Sequence, residues 1–100
     1  MDILPEPLVF EWDTGNFDKN ERQHGVTNKE AEEIFVHKPL LLLQDTVHSK
    51  GEMRYQVMGE TGATRLLFIV FTVRKRKVRI ISARLMDKKE RRMYEKAKKI

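Results

Sequence analysis

The stretch RLLFIVFTVRKRKVRIISAR, residues 65 to 84, decides the fold. Leu66 to Val73 carries no charge and is rich in β-branched and aromatic types, the composition of a strand buried on both faces. Arg74 to Lys77 is a basic turn. Val78 to Ala83 is apolar again, but Arg79 interrupts it and Ser82 and Arg84 close it. The pattern predicts a central strand, a turn and a partner strand that presents guanidinium groups on one face of a sheet. A guanidinium beside a hydrophobic centre calls for a partner anion, because an unpaired charge out of water is costly.

Upstream of the hairpin, Glu52 to Met58 sets Met53, Tyr55 and Val57 against Glu52, Arg54 and Gln56, a half-buried strand with a polar face. Leu40 to Gln44 reads as a short strand, and Asp45 to Gly51 as a polar loop. Short connections between successive strands imply an antiparallel meander. Nearer the N-terminus, Leu8 to Trp12 follows Pro5 and Pro7 and predicts an edge strand. Phe17 to His24 is a short polar helix ended by Gly25. Thr27 and Glu30 form a capping box, and Val26 can staple against Ala31, so a second helix runs to about Val36 with Ala31, Ile34 and Phe35 facing the core. Pro39 stops it.

Downstream, Asp87 and Glu90 form a second capping pair, and a helix continues to the C-terminus with Met86, Met93, Ala97 and Ile100 on one side. The expected fold is α+β, one domain over residues 1–100: an antiparallel meander with two N-terminal helices and one C-terminal helix.

Composition narrows the class. The chain has 100 residues, 40% hydrophobic, which suits a single core. No apolar run approaches the ~20 residues of a membrane span, and no start resembles a signal peptide. Cysteine is absent, which excludes a disulfide framework and a thiolate metal cage and fits a reducing cytoplasm. Charge is uneven: residues 1–64 hold 6 Lys and Arg against 12 Asp and Glu, whereas residues 65–100 hold 14 against 3. A basic third of this kind attracts polyanions such as nucleic acid. For a Lys-rich helix alone, a solvated face is the competing reading.

Five strings carry a resemblance. FEWD at Phe10 to Asp13, NERQHGV at Asn20 to Val26, HSKGEMRY at His48 to Tyr55, FTVRKRKVRIISAR at Phe71 to Arg84 and KKERRMYE at Lys88 to Glu95 closely resemble the BrnT family of bacterial toxins over nearly the whole chain. The chain departs from the family pattern at Gln23, Arg76 and Leu85, positions that bear on local RNA or antitoxin contacts. The resemblance implies a RelE-like fold and a cytoplasmic, metal-independent endoribonuclease of a type II toxin–antitoxin pair, needing no cofactor. It also implies neutralisation by a BrnA-type antitoxin, through which alone operator DNA would be met.

Metal-free RNA cleavage needs a base for the 2′-hydroxyl proton, cations for the phosphate as negative charge grows, and an acid for the leaving 5′-oxygen. Arg79 and Arg84 are the candidate phosphate clamp, since a guanidinium fork matches phosphate oxygens better than a lysine. For proton transfer the candidates are His48, Glu52 and Tyr94. His48 titrates near neutral pH, but a loop histidine bonded to backbone is the alternative. Glu52 beside Arg54 also reads as a structural ion pair, and Glu90 as a cap before a catalyst. Arg54, Arg74, Lys77, Ser82 and Lys88 are the expected RNA contacts. Ser49 and Ser82 lack an Asp-His partner at recognisable spacing, and His24, His37 and His48 show no metal-ligand spacing.

Two other classes remain open on the residues alone. A non-catalytic nucleic-acid-binding module would bind RNA in a salt-sensitive way without cutting it. A degenerate toxin would only hold a protein partner.

Overall fold

The computed structural model describes residues 3–15, 17–45 and 51–98. Eight elements follow in order: β1 (Phe10–Glu11), α1 (Lys19–His24), α2 (Asn28–Glu33), β2 (Leu41–Asp45), β3 (Arg54–Glu60), β4 (Leu66–Arg74), β5 (Lys77–Leu85) and α3 (Lys88–Lys98). The five strands form one sheet in the order β1-β5-β4-β3-β2. The fold is α+β, as the hairpin and its flanking helices predict.

Strands β2 to β5 make the expected antiparallel meander, but the sheet is mixed, because β1 pairs parallel with β5 through Phe10↔Val78 and Glu11↔Arg79. This corrects the expectation of a purely antiparallel sheet. A strand of two residues carries no directional signal of its own. Its place is fixed by packing, with the Phe10 ring edge-on to Phe35 at 5.2 Å, and by the bond from Val78 N–H to the Val9 carbonyl at 2.8 Å.

The turn between β4 and β5 holds Lys75 at φ 52° and Arg76 at φ 63°. Two left-handed residues are what a two-residue hairpin loop demands, since this geometry matches the twist of the strands. Neither residue is glycine, so the backbone here is strained.

Helices α1 and α2 cover one face of the sheet. Val26, Ala31, Ile34 and Phe35 pack there on Val57, Leu67, Ile69, Phe71, Val78, Ile80 and Ala83. Gly59 permits the close approach of α2, because a Cβ at that position would stand 2.9 Å from Ile34 Cγ2. Thr27 and Glu30 form the capping box the sequence predicts, although α2 ends at Glu33 rather than near Val36. Gly25 closes α1 in the left-handed conformation.

Helix α3 covers part of the opposite face, over Met58, Phe68 and Met86. Its Asp87–Glu90 capping bonds are both present, at 2.8 and 2.9 Å. Met86 is buried and Ala97 half-buried as expected, Ile100 lies outside the described residues, and Met93 departs from the expectation. Tyr94 is 1% exposed and Met93 42%. Tyr94 wins because its ring fills the cluster while its hydroxyl donates to the Pro39 carbonyl at 2.7 Å, satisfying the polar end. Among the described residues, no helix is long and apolar enough to cross a membrane.

Candidate functional site

The site begins with an irregularity in β5. Along the β4–β5 ladder Val70 pairs with Ser82 and Phe71 with Ile80, so Ile81 is an extra residue, a β-bulge. Helix α1 holds it from outside the ladder: Lys19 Nζ donates to the Ile81 carbonyl at 2.6 Å, and Asn20 Oδ1 accepts from the Ala83 N–H at 3.1 Å.

The bulge decides which side chains meet. Arg79 and Arg84 are five residues apart, which in a regular strand sends them to opposite faces. Here Arg79 stands opposite Thr72, and Arg84 opposite Phe68, on one side of β4. The Arg84 guanidinium lies 4.4 Å from the centre of the Phe68 ring. Ser82, opposite Val70, joins the same face. Regular alternation on β3 adds Arg54 and Gln56, and Arg74 and Lys77 stand opposite each other at the hairpin end.

Beyond the cover of α3 this face opens into two adjoining hollows that share Arg54 and Ile81. The first, about 400 Å³, is lined by Glu11, Asp13, Lys19, Glu52, Thr72 and Arg79 among others. The second, about 410 Å³, is lined by Asp45, Gln56, Phe68, Val70, Ser82 and Arg84 with those two.

The guanidiniums are not bare. Arg79 meets Glu11 at 3.3 Å and Asp13 at 2.8 Å. Arg84 makes a two-bonded fork with Glu90 at 2.8 and 2.9 Å, and Arg74 makes another with Glu52 at 2.8 and 3.0 Å. The anion that the sequence requires for a guanidinium in a strand is thus supplied by the chain itself. The Arg74 hydrogen bond holds the Glu52 carboxyl below its ordinary range against the opposing effect of burial, with the charges of Arg74, Arg79 and Arg54 adding to the lowering. Glu90 raises the Arg84 guanidinium further above its ordinary value.

Of the residues expected to act, the structure therefore gathers Glu52, Arg54, Arg74, Arg79, Ser82 and Arg84, with Lys77 at the rim, 4.0 Å from Glu11. Lys88 lies outside the hollows, exposed at the start of α3. Tyr94 is not brought to the hollows. It lies in the cluster under α3 with its proton given to Pro39, and burial raises its pKa above the ordinary tyrosine value. His48 and Ser49 lie outside the described residues.

Six polar lining residues went unmarked as site residues in the sequence: Glu11, Asp13, Lys19, Asp45, Gln56 and Thr72. Thr72 had a signal, as the one hydroxyl in an uncharged strand, and its Oγ1 donates to the Met53 carbonyl at 2.8 Å. Gln56 donates to Asp45 at 3.1 Å. Glu11 and Asp13 arrive through the parallel pairing of β1, which nothing local announces.

In chemical terms the face offers an ionised carboxylate set among three guanidiniums, with a hydroxyl and an amide nearby. Such a group can accept a proton from a hydroxyl and stabilise negative charge on an adjacent phosphate. Among the described residues, no group of three or more His, Cys, Asp or Glu is placed to hold a metal ion.

No curated protein matches the chain. Residues 12–90, from Trp12 just after β1 to Glu90 on α3, match the family described as ribonuclease toxin, BrnT, of type II toxin-antitoxin system, and the chain belongs to that family.

Proposed function

We propose that the open face of β3, β4 and β5 cuts RNA without a metal ion, by attack of a 2′-hydroxyl on the adjacent phosphate. Glu52 takes the hydroxyl proton, and Arg79 and Arg84 bind the phosphate as its charge grows. The products are a 2′,3′-cyclic phosphate and a 5′-hydroxyl, and DNA, lacking the hydroxyl, is spared. The observation that carries this reading is the bulge at Ile81, which sets Arg79 and Arg84 on one face, Arg79 in the hollow that Glu52 lines and Arg84 in the adjoining one. His48 remains the candidate acid for the leaving oxygen. A BrnA-type antitoxin in the same cytoplasm blocks the face, and operator DNA is met only through it.

A second reading has its own support. Because Arg74, Arg79 and Arg84 each hold a carboxylate, the face can also rest as a closed set of ion pairs in a toxin that only binds its partner. Expression in a bacterial host separates the two. Growth arrest with cleaved cellular RNA supports the cutting face. Normal growth with intact RNA supports the partner-holding protein.

A further inference from the structure

The basic surplus of the chain does not lie where the guanidiniums of the sheet lie. On the open face, cations and carboxylates nearly balance: Arg74, Arg79 and Arg84 are all paired, and Lys19 is spent on a carbonyl. Among the described residues, cations with no carboxylate partner cluster instead on α3 and, in smaller number, at Lys75 and Arg76 of the β4–β5 turn.

Helix α3 reads KKERRMYEKAK. With 3.6 residues per turn, Tyr94 and Glu90 fall on one side with Ala97, which the chain buries or half-buries. Lys88, Arg92 and Lys96 recur every fourth residue on the opposite side, and Lys89 falls beside Arg92 and Lys96. All four are exposed. Among the described residues, none of the four forms an ion pair, whereas Lys98, off this stripe, meets Glu60 at 3.6 Å and Glu95 at 3.7 Å.

Two features make this stripe costly to the free protein. Like charges four residues apart on a helix repel. Lys88 and Lys89 also sit at the helix start, where the backbone dipole already presents positive charge. At the helix start Asp87 and Glu90 offset part of the second cost, but among the described residues none of the four cations has the direct carboxylate partner that Arg74, Arg79 and Arg84 have.

We infer that Lys88, Lys89, Arg92 and Lys96 form a ridge that binds the phosphate backbone of single-stranded RNA, separate from the two hollows. The inference rests on the nucleic-acid reading above and extends it. The ridge runs about 12 Å along α3, from Lys88 to Lys96. Its start lies within one turn of Glu90, the partner of Arg84, but on the solvent side of the helix. An acidic protein fits less well. Protein interfaces are poor in lysine and centre on buried apolar anchors, whereas this stripe is cationic, with Met93 at one margin and Glu95, drawn toward Lys98, at the other.

The test measures binding of the full chain to a thymidine oligodeoxynucleotide of about twenty bases across a salt series. This probe lacks the 2′-hydroxyl, so its result does not depend on whether the chain cuts RNA. The comparison is the quadruple variant Lys88→Gln, Lys89→Gln, Arg92→Gln, Lys96→Gln, with Lys29→Gln on α2 as the charge-loss control. Each lost phosphate contact on a single strand lowers the log–log salt slope by about 0.7. The quadruple variant is expected to lose between about 2 and 3 in slope, with its helical circular dichroism kept, and Lys29→Gln is expected to match the wild type. An unchanged slope in the quadruple variant overturns the ridge, as does wild-type binding that shows no salt dependence. Polyglutamate that displaces the oligonucleotide as well as an equal charge of polythymidine also overturns it, and assigns the stripe to an acidic protein.

Discussion

Arg79 and Arg84 share a face of the sheet only because Ile81 is bulged between them. A bulge re-aims a side chain by adding one residue to the ladder, and this one turns an odd spacing into a common direction. The two bonds from α1 that hold it, Lys19 to Ile81 and Asn20 to Ala83, make a helix distant in sequence part of the site.

Asn20→Ala is therefore expected to act twice. It leaves the buried Ala83 N–H without its acceptor, which costs about 1–3 kcal/mol, and it frees the bulge. Denaturant unfolding should show the loss of stability, and RNA cleavage should fall under conditions where the variant remains folded. A variant as active as wild type would separate the bulge from the chemistry.

Tyr94 offers a sharper contrast between sequence and structure. The sequence nominates it for proton transfer, but its hydroxyl donates to the Pro39 carbonyl inside the cluster under α3. Tyr94→Phe should cost about 1 kcal/mol of stability by loss of that bond and leave the cleavage rate unchanged. A large loss of rate in a stable variant would return Tyr94 to the catalytic set.

Glu52 gives a dependence on pH. Its hydrogen bond to Arg74 lowers its pKa below the ordinary 4.5, so the stability it contributes is present above that value and is lost as pH falls through the lower folded value. Arg74→Ala removes the largest cause of the shift. Carboxyl titration by NMR should then show the Glu52 midpoint rising toward 4.5. A midpoint that stays low in the variant would assign the shift to Arg54 and Arg79 instead.

The β4–β5 turn stores strain that can be removed. Lys75 and Arg76 both take left-handed backbone angles, the geometry that Asn-Gly adopts readily. Replacing the pair, Lys75→Asn with Arg76→Gly, should raise stability by about 1 kcal/mol, although it gives up the 3.3 Å contact of Arg76 with the Glu6 carbonyl. A lower denaturant midpoint would mean that this contact outweighs the strain.

What the sequence disclosed is what short-range chemistry governs. Thr27–Glu30 and Asp87–Glu90 were legible as caps because each is set by residues three apart. The hairpin was legible because an uncharged run and a basic turn stand side by side. The bulge at Ile81 was not, since no glycine or proline marks it and its anchors lie 62 and 63 residues away. Nor was the pairing of Arg79 with Asp13, 66 residues apart, which depends on a parallel strand too short to read. Met93 and Tyr94 illustrate a third limit: neighbours on a helix compete for the buried side, and the carbonyl of Pro39 decides between them.

The central claim is that the gathered arginines and Glu52 cut RNA. Its most direct test incubates a defined RNA with the purified chain in EDTA, beside Arg79→Ala and Glu52→Gln, and types the new ends chemically. The account predicts 2′,3′-cyclic phosphate ends from the wild type and a strong loss of them in both variants, with the fold retained. Equal cleavage by wild type and both variants, or 3′-hydroxyl ends, would contradict it.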